Sequence, residues 1–224
     1  MDQAIHTLLD SCRWKLRSLL RCQRHFNACD LVNLYKSRLL GFMEYRTAAI
    51  YHACDTLLNR IDTVQSRFLD HLGITEKQAL FDFNLAPLGA RRDIAMLGLV
   101  HRTVLGSGPP QFSKFFQLDA GPPESHSRHK MQLVELEADV TDFMFPSSTG
   151  APADYVVRSA LGLRAIYNLL PAGVVECSPT VPCFQSKLQE ILKSEAARGS
   201  CGWNRVFSPR WDLKTHPLQN LCKP

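Results

Sequence analysis

Eight cysteines are scattered along this 224-residue chain, yet no two of them are separated by two residues. They stand at positions 12, 22, 29, 54, 177, 183, 201 and 222. A zinc finger or knuckle takes close-spaced ligand pairs, because two thiolates on one tight turn must reach a single tetrahedral ion. The looser set Cys177, Cys183, Cys201, His216 and Cys222 lacks that spacing too, so no metal is expected. No apolar run approaches the ~20 residues that span a bilayer. The opening MDQAIHTLLDSCRWK mixes acids and bases where a signal peptide needs an apolar core. The glycines of LGSGPP (105–110) precede prolines instead of a helix-opening Lys-Ser/Thr, which excludes a phosphate-cradling loop. There is no internal repeat, and the first half shows no convincing strand alternation. These absences lead us to expect an intracellular protein, nuclear or cytoplasmic, with cysteines packed as small hydrophobes, no cofactor and no membrane partner.

Hydrophobic residues make up 45% of the chain and charged residues 21%, which suits a buried core and argues against wholesale disorder. A net charge of +5 permits a phosphate-binding surface without demanding one. The charge is uneven. Residues 1–50 carry eight Lys/Arg against four acids, nearly the whole excess. Arg13, Lys15, Arg17, Arg21 and Arg24 fall within one twelve-residue stretch.

Apolar residues at three- and four-residue steps predict a mainly α fold. Residues 1–106 read as a helical bundle. Its first stripe is Ile5, Leu8, Leu9, Cys12, Leu16, Leu19 and Leu20. Asp30 is expected to cap a second helix with Leu31, Leu34, Tyr35, Arg38, Phe42, Tyr45 and Ala49 on one face. Asp55 is expected to cap a third, with Leu58, Ile61, Val64, Phe68 and Leu72 inward and Gly73 ending it. Thr75 opens a short fourth through Phe81, and Pro87 a fifth that Gly106 stops. Residues 107–152 read as a Pro/Gly-rich linker, with a short helix at 112–116, the polar run SHSRHK (125–130), and a strand or extended arm over 131–145. Residues 153–195 read as a C-terminal helical pair, the first helix ending at Pro171 and the second capped by Thr180. The tail, 196–224, has aromatics at Trp203, Phe207 and Trp211 without a period, and is expected to be disordered or loosely docked.

Two segments in the first half carry a family pattern. LVNLYKSRLLGFMEYRTAAIYHA (31–53), followed by LLNRIDTVQSRFLDHLGI (57–74), resembles the region just after the catalytic palm in reverse transcriptases of non-LTR, LINE-like retrotransposons. There an LYK-x(n)-EY segment lies in the thumb and a helix of the type "lxrlxxvQxrFlrxLg" follows. LAPLGAR (85–91) resembles the turn "LgLpsLexRR", and LVHRTVLG with PQFSKFF (110–116) resembles the "vyKilhG" helix and "pskfF" turn. In the second half, Tyr167, Asn168, Leu170, Pro171, Val174, Val175, Phe184, Lys187 and Leu188 match the "(W/Y)N-x-LP", "vv" and "F-k-x-x-L" elements of the family's C-terminal block. The likeness covers about residues 4–195 in consistent order, and several weak motifs in register outweigh any one alone.

The resemblance implies a thumb and post-thumb piece that holds nucleic acid and does no chemistry of its own. The two-metal catalysis of a reverse transcriptase needs clustered aspartates, one pair usually in a Tyr-x-Asp-Asp turn, and no Asp-Asp dipeptide occurs here. Neither the palm nor the family's endonuclease precedes the helices, so a truncated or decayed element-derived open reading frame, or a gene model that caught only its last part, is expected. Thumb helices lie along the template–primer duplex, where lysine and arginine neutralise phosphates. The candidate nucleic-acid-binding residues are therefore Arg13, Lys15, Arg17, Arg21, Arg24, Lys36 and Arg38, with RNA or an RNA–DNA hybrid as partner. The competing reading is a helical interaction or scaffold domain without nucleic-acid binding, whose exposed apolar helix faces would drive self-association. Arg91 and Arg92, near a helix start where cations oppose the dipole, are expected to pair with an acid such as Asp93 or Asp82. His126, Arg128 and His129 read as a solvated loop.

Overall fold

The computed structural model describes residues 2–120, 128–134, 154–211 and 213–222. The fold is mainly α; among the described residues, β pairing is confined to one isolated bridge between Leu118 and Leu133. The chain divides into two compact units, Met1–Arg92 and Asp93–Pro224. That division falls upstream of Gly106, where the composition shifts: composition marks where a helix stops, and a unit ends where packing partners change.

In the first unit, α1 (Asp2–Arg21) buries Ile5, Leu8, Leu9, Cys12, Leu16 and Leu19, the stripe expected from their spacing. Its main partner is α5 (Asp55–Leu72), which buries Leu58, Ile61, Val64, Gln65, Phe68 and Leu69. Arg60 meets His6 at 3.2 Å, and Gln23 meets His71. Residue numbers thus rise together along both helices, so α1 and α5 run parallel.

The segment between them departs from the single long helix expected. Asn27, not Asp30, holds the N-cap: its side chain accepts from the Asp30 amide at 2.8 Å, leaving Asp30 in the first turn of α2 (Ala28–Tyr35). A π-helical turn follows at Lys36–Leu40, then the short helices α3 (Gly41–Glu44) and α4 (Thr47–Ile50). A π turn inserts a residue and shifts the face that points inward. Leu39, Leu40 and Met43 are buried instead of Arg38 and Tyr45, and Tyr45 is left 91% exposed.

At the start of α5, Cys54 is the N-cap residue and Asp55 stands in the first turn, where its charge suits the helix dipole. Gly73, at φ 66°, ends that helix in the left-handed conformation glycine adopts freely. A capping box between Thr75 and Gln78 opens α6 (Glu76–Phe83), which runs two residues past the expected Phe81. Leu88 begins α7 (Leu88–Val104) directly after Pro87.

Several of the motif residues lock this unit together. Tyr35 stacks on Phe68 with ring centroids 4.4 Å apart. Lys36 donates to the Phe83 carbonyl, and Gln65 donates to the Ala86 carbonyl at 3.1 Å. Arg91 pairs with Glu44 at 2.5 Å, and Arg92 makes two bonds to Asp62 at 2.6 and 2.8 Å. Both arginines thus meet acids from other helices, Glu44 of α3 and Asp62 of α5.

The second unit holds the rest of α7, then α8 (Pro110–Ser113), α9 (Asp154–Arg158), α10 (Leu163–Asn168), α11 (Ala172–Val175) and α12 (Val181–Arg198). The expected helix ending at Pro171 is interrupted. Ser159 is extended, its hydroxyl accepts from the Leu161 amide at 3.1 Å, and a 3-10 turn (Ala160–Gly162) precedes α10. Thr180 caps α12 as expected, and Gly199 at φ 71° closes it.

The tail is packed, against expectation. Val206, Phe207, His216 and Leu218 are buried among 3-10 turns at Trp203–Arg205, Leu213–Thr215 and Pro217–Cys222. Arg128 reaches the Leu169 and Leu218 carbonyls and the Gln219 side chain, tying tail to helix. His129 beside it is buried, with Nε2 at 3.0 Å from the Tyr167 carbonyl. These two residues are anchors, not members of a solvated loop. His126 lies outside the described residues. Of the expected arm over 131–145, only 131–134 is described. There the Asn168 side chain holds both backbone groups of Leu133, at 2.8 and 2.9 Å.

Candidate nucleic-acid interface

The cations of α1 do not share one face. At about 100° per residue, Arg13 and Arg17 lie on one flank of the apolar stripe, Arg21 falls on the outer face, and Lys15 lies on the other flank. Lys15 is half-buried, its ammonium 5.0 Å from the centre of the Phe42 ring, which Arg46 also covers at 5.1 Å. That geometry uses Lys15 to shield the core and satisfies part of its charge by cation–π attraction.

On the other flank, α1 and α5 form a shallow groove lined by Arg13, Leu16, Arg17, Leu20, Arg67 and His71. Leu16 and Leu20 make its floor; Arg13 and Arg17 stand on one rim, Arg67 and His71 on the other, each pair four residues apart on its helix. Arg13 leans on Asp10 at 3.4 Å, an exposed pair worth little. Arg17 and Arg67 are exposed and make no hydrogen bond or ion pair among the described residues. Asp70, three residues beyond Arg67 on α5 and so its neighbour on the helix surface, is exposed and makes no ion pair among the described residues. The rims therefore present three guanidiniums over an apolar floor.

The remaining candidates fall elsewhere. Arg21 and Arg24 are exposed at and just beyond the C-terminus of α1, where they also offset the negative end of the helix dipole. Lys36 is tied to the Phe83 carbonyl. Arg38 is exposed on the π-helical turn. Arg67 was not among the residues singled out by sequence. Its signal was present in the VQSRF motif, but only the parallel packing of α1 and α5 brings it across from Arg17.

Among the described residues, the histidines of the second unit are buried. His101 stacks on Phe184 at 4.1 Å, with Nδ1 2.9 Å from the Tyr167 hydroxyl and Nε2 2.9 Å from the Ser178 carbonyl. Burial pushes its pKa below the ordinary imidazole value, partly countered by the Ser178 carbonyl. His216 is shifted down for the same reason; its Nε2 lies 3.2 Å from the Ser208 carbonyl, and Nδ1 accepts from the Leu218 amide at 3.3 Å. With both nitrogens engaged, neither ring has a lone pair free for a ligand. Among the described residues no group of three or more His, Cys, Asp or Glu side chains is placed to hold a metal ion. Among the same residues, no helix is long and apolar enough to cross a membrane. Comparison with known proteins returns no matching family model, no matching curated protein and no matching solved structure.

Proposed function

We propose that this chain is a non-catalytic thumb and post-thumb piece of a LINE-like RNA-directed DNA polymerase, and that it grips an RNA template or RNA–DNA hybrid. Two things support this reading. One is the set of motifs from LYK to F-k-x-x-L in family order. The other, which carries the most weight, is the groove in which Arg13, Arg17 and Arg67 flank Leu16 and Leu20 on two parallel helices. Guanidiniums on both rims suit a phosphate backbone lying between them. Magnesium-dependent polymerase assays are expected to give nothing above background.

The test is retardation of an RNA–DNA hybrid by the whole chain over a salt series. Binding that weakens steeply with salt supports the reading, and no binding at low salt refutes it. A second reading, a helical scaffold domain, is favoured by Tyr45, which is 91% exposed beside the core. Concentration-dependent light scattering with no retardation would favour that scaffold.

A further inference from the structure

Trp14 is the one tryptophan of α1 and is 69% exposed, although indole is among the side chains with most to gain from burial. Its neighbours on the helix surface are Asp10 at i−4, Arg17 at i+3 and Ser18 at i+4, with Arg21 one turn further. Ser18 turns its hydroxyl back to the Trp14 carbonyl at 3.1 Å, and Asp10 pairs with Arg13 at 3.4 Å. Among the described residues the indole makes no ring contact and no cation sits over it. Arg17 is shared: it borders both the groove and the indole.

A bare aromatic face beside guanidiniums has a specific chemistry. Unpaired bases stack on such rings, and arginines hold the flanking phosphates; a base inside a duplex has no free face to offer. Resting on the proposed nucleic-acid grip, we infer that Trp14 is a stacking platform for an unpaired nucleotide, so that a single strand continues from the α1–α5 groove over the outer face of α1. The strand's phosphates run from Arg17 towards Arg21 while one base lies on the indole. The site accepts any base, because every base has a π face.

Fluorescence anisotropy of the full chain distinguishes this from the groove reading. The probes are a labelled single-stranded oligouridylate and a blunt RNA–DNA hybrid of equal length, each titrated at low salt. Trp14→Ala is expected to weaken the single strand about tenfold and leave the hybrid unchanged, with Trp14→Phe restoring most of the loss. The site is exposed and alanine favours helix, so both variants should keep the wild-type circular dichroism. If wild type binds both probes and Trp14→Ala changes neither, or both equally, the stacking platform is overturned while the groove stands. If wild type binds neither, the nucleic-acid reading falls and the platform with it.

Discussion

Arg67→Ala is the sharpest probe of the groove. Arg67 faces Arg17 across an apolar floor, is exposed, and has no hydrogen bond or ion pair among the described residues. Its removal should therefore leave folding intact, since a surface substitution away from any cap or buried contact usually shifts stability by less than ~0.5 kcal/mol. Its effect on binding should be electrostatic. If Arg13, Arg17 and Arg67 each neutralise one phosphate, the logarithm of affinity falls with the logarithm of salt at a slope of about −2.7, and with Arg67 gone at about −1.8. Between 50 and 200 mM salt, wild type should lose roughly 40-fold in affinity and the variant only about 12-fold.

The control is Lys15→Ala. Lys15 belongs to the same cationic run in sequence, but its ammonium lies over Phe42 on the opposite flank of α1. Charge anywhere on a small protein raises affinity a little, so Lys15→Ala should lower it slightly at low salt without changing the slope by a full contact. Retardation or anisotropy at four or more salt concentrations gives both slopes. An unchanged slope for Arg67→Ala, or an equal drop for Lys15→Ala, would show that net charge and not the groove holds the ligand.

Other substitutions test the packing that positions the groove. Tyr35 is fully buried against Phe68, and its hydroxyl has no hydrogen-bond partner among the described residues, so Tyr35→Phe should stabilise the chain by about 1 kcal/mol in urea unfolding. A loss of stability instead would mean that the hydroxyl is satisfied, as by a buried water. Arg92 is buried and doubly bonded to Asp62, whose side chain is 31% exposed; Arg92→Ala should cost about 3 kcal/mol, the partly hydrated carboxylate holding the loss near the low end for broken buried pairs. A loss below 1 kcal/mol would show that the pair is screened. His101 and His216 are both held below the ordinary imidazole pKa by burial, so the unfolded chain binds protons that the folded chain does not. Stability is then full above about pH 6.5 and falls as pH drops through that value, by up to about 2.7 kcal/mol per unit for the two groups together. A urea midpoint equal at pH 7.5 and 5.5 would contradict their burial as neutral rings.

What the sequence made legible, and what it hid, has a physical pattern. The stripe of α1, the Gly73 stop and the Thr180 cap are local: each depends on residues within one turn, so spacing alone revealed them. The break after Tyr35 was not legible, because a π turn is fixed by which of Leu39, Leu40 and Met43 finds a cavity in the folded unit, and no local residue announces it. Ser159 broke an apparently continuous apolar period in the same silent way, by bonding the Leu161 amide. The packed tail was hidden for a third reason. Arg128 and His129 look like loop polarity until the carbonyls of Leu169, Leu218 and Tyr167 are seen around them.

The same distinction bears on the motifs themselves. Tyr35, Lys36, Gln65 and Phe68 are the most recognisable letters of the first block, and each is spent on holding the unit together. Tyr167, Asn168, Phe184 and Lys187 do likewise in the second, Lys187 reaching the Gly173 carbonyl at 2.6 Å and the Cys177 carbonyl at 2.9 Å. A motif letter that caps a carbonyl or fills a core resists change for packing reasons, whatever the surface does. The residues that would touch a ligand, Trp14, Arg17 and Arg67, are free of such duties. These letters therefore speak to packing alone, and the proposed nucleic-acid binding is tested at these three side chains, where substitution can abolish it without disturbing the fold.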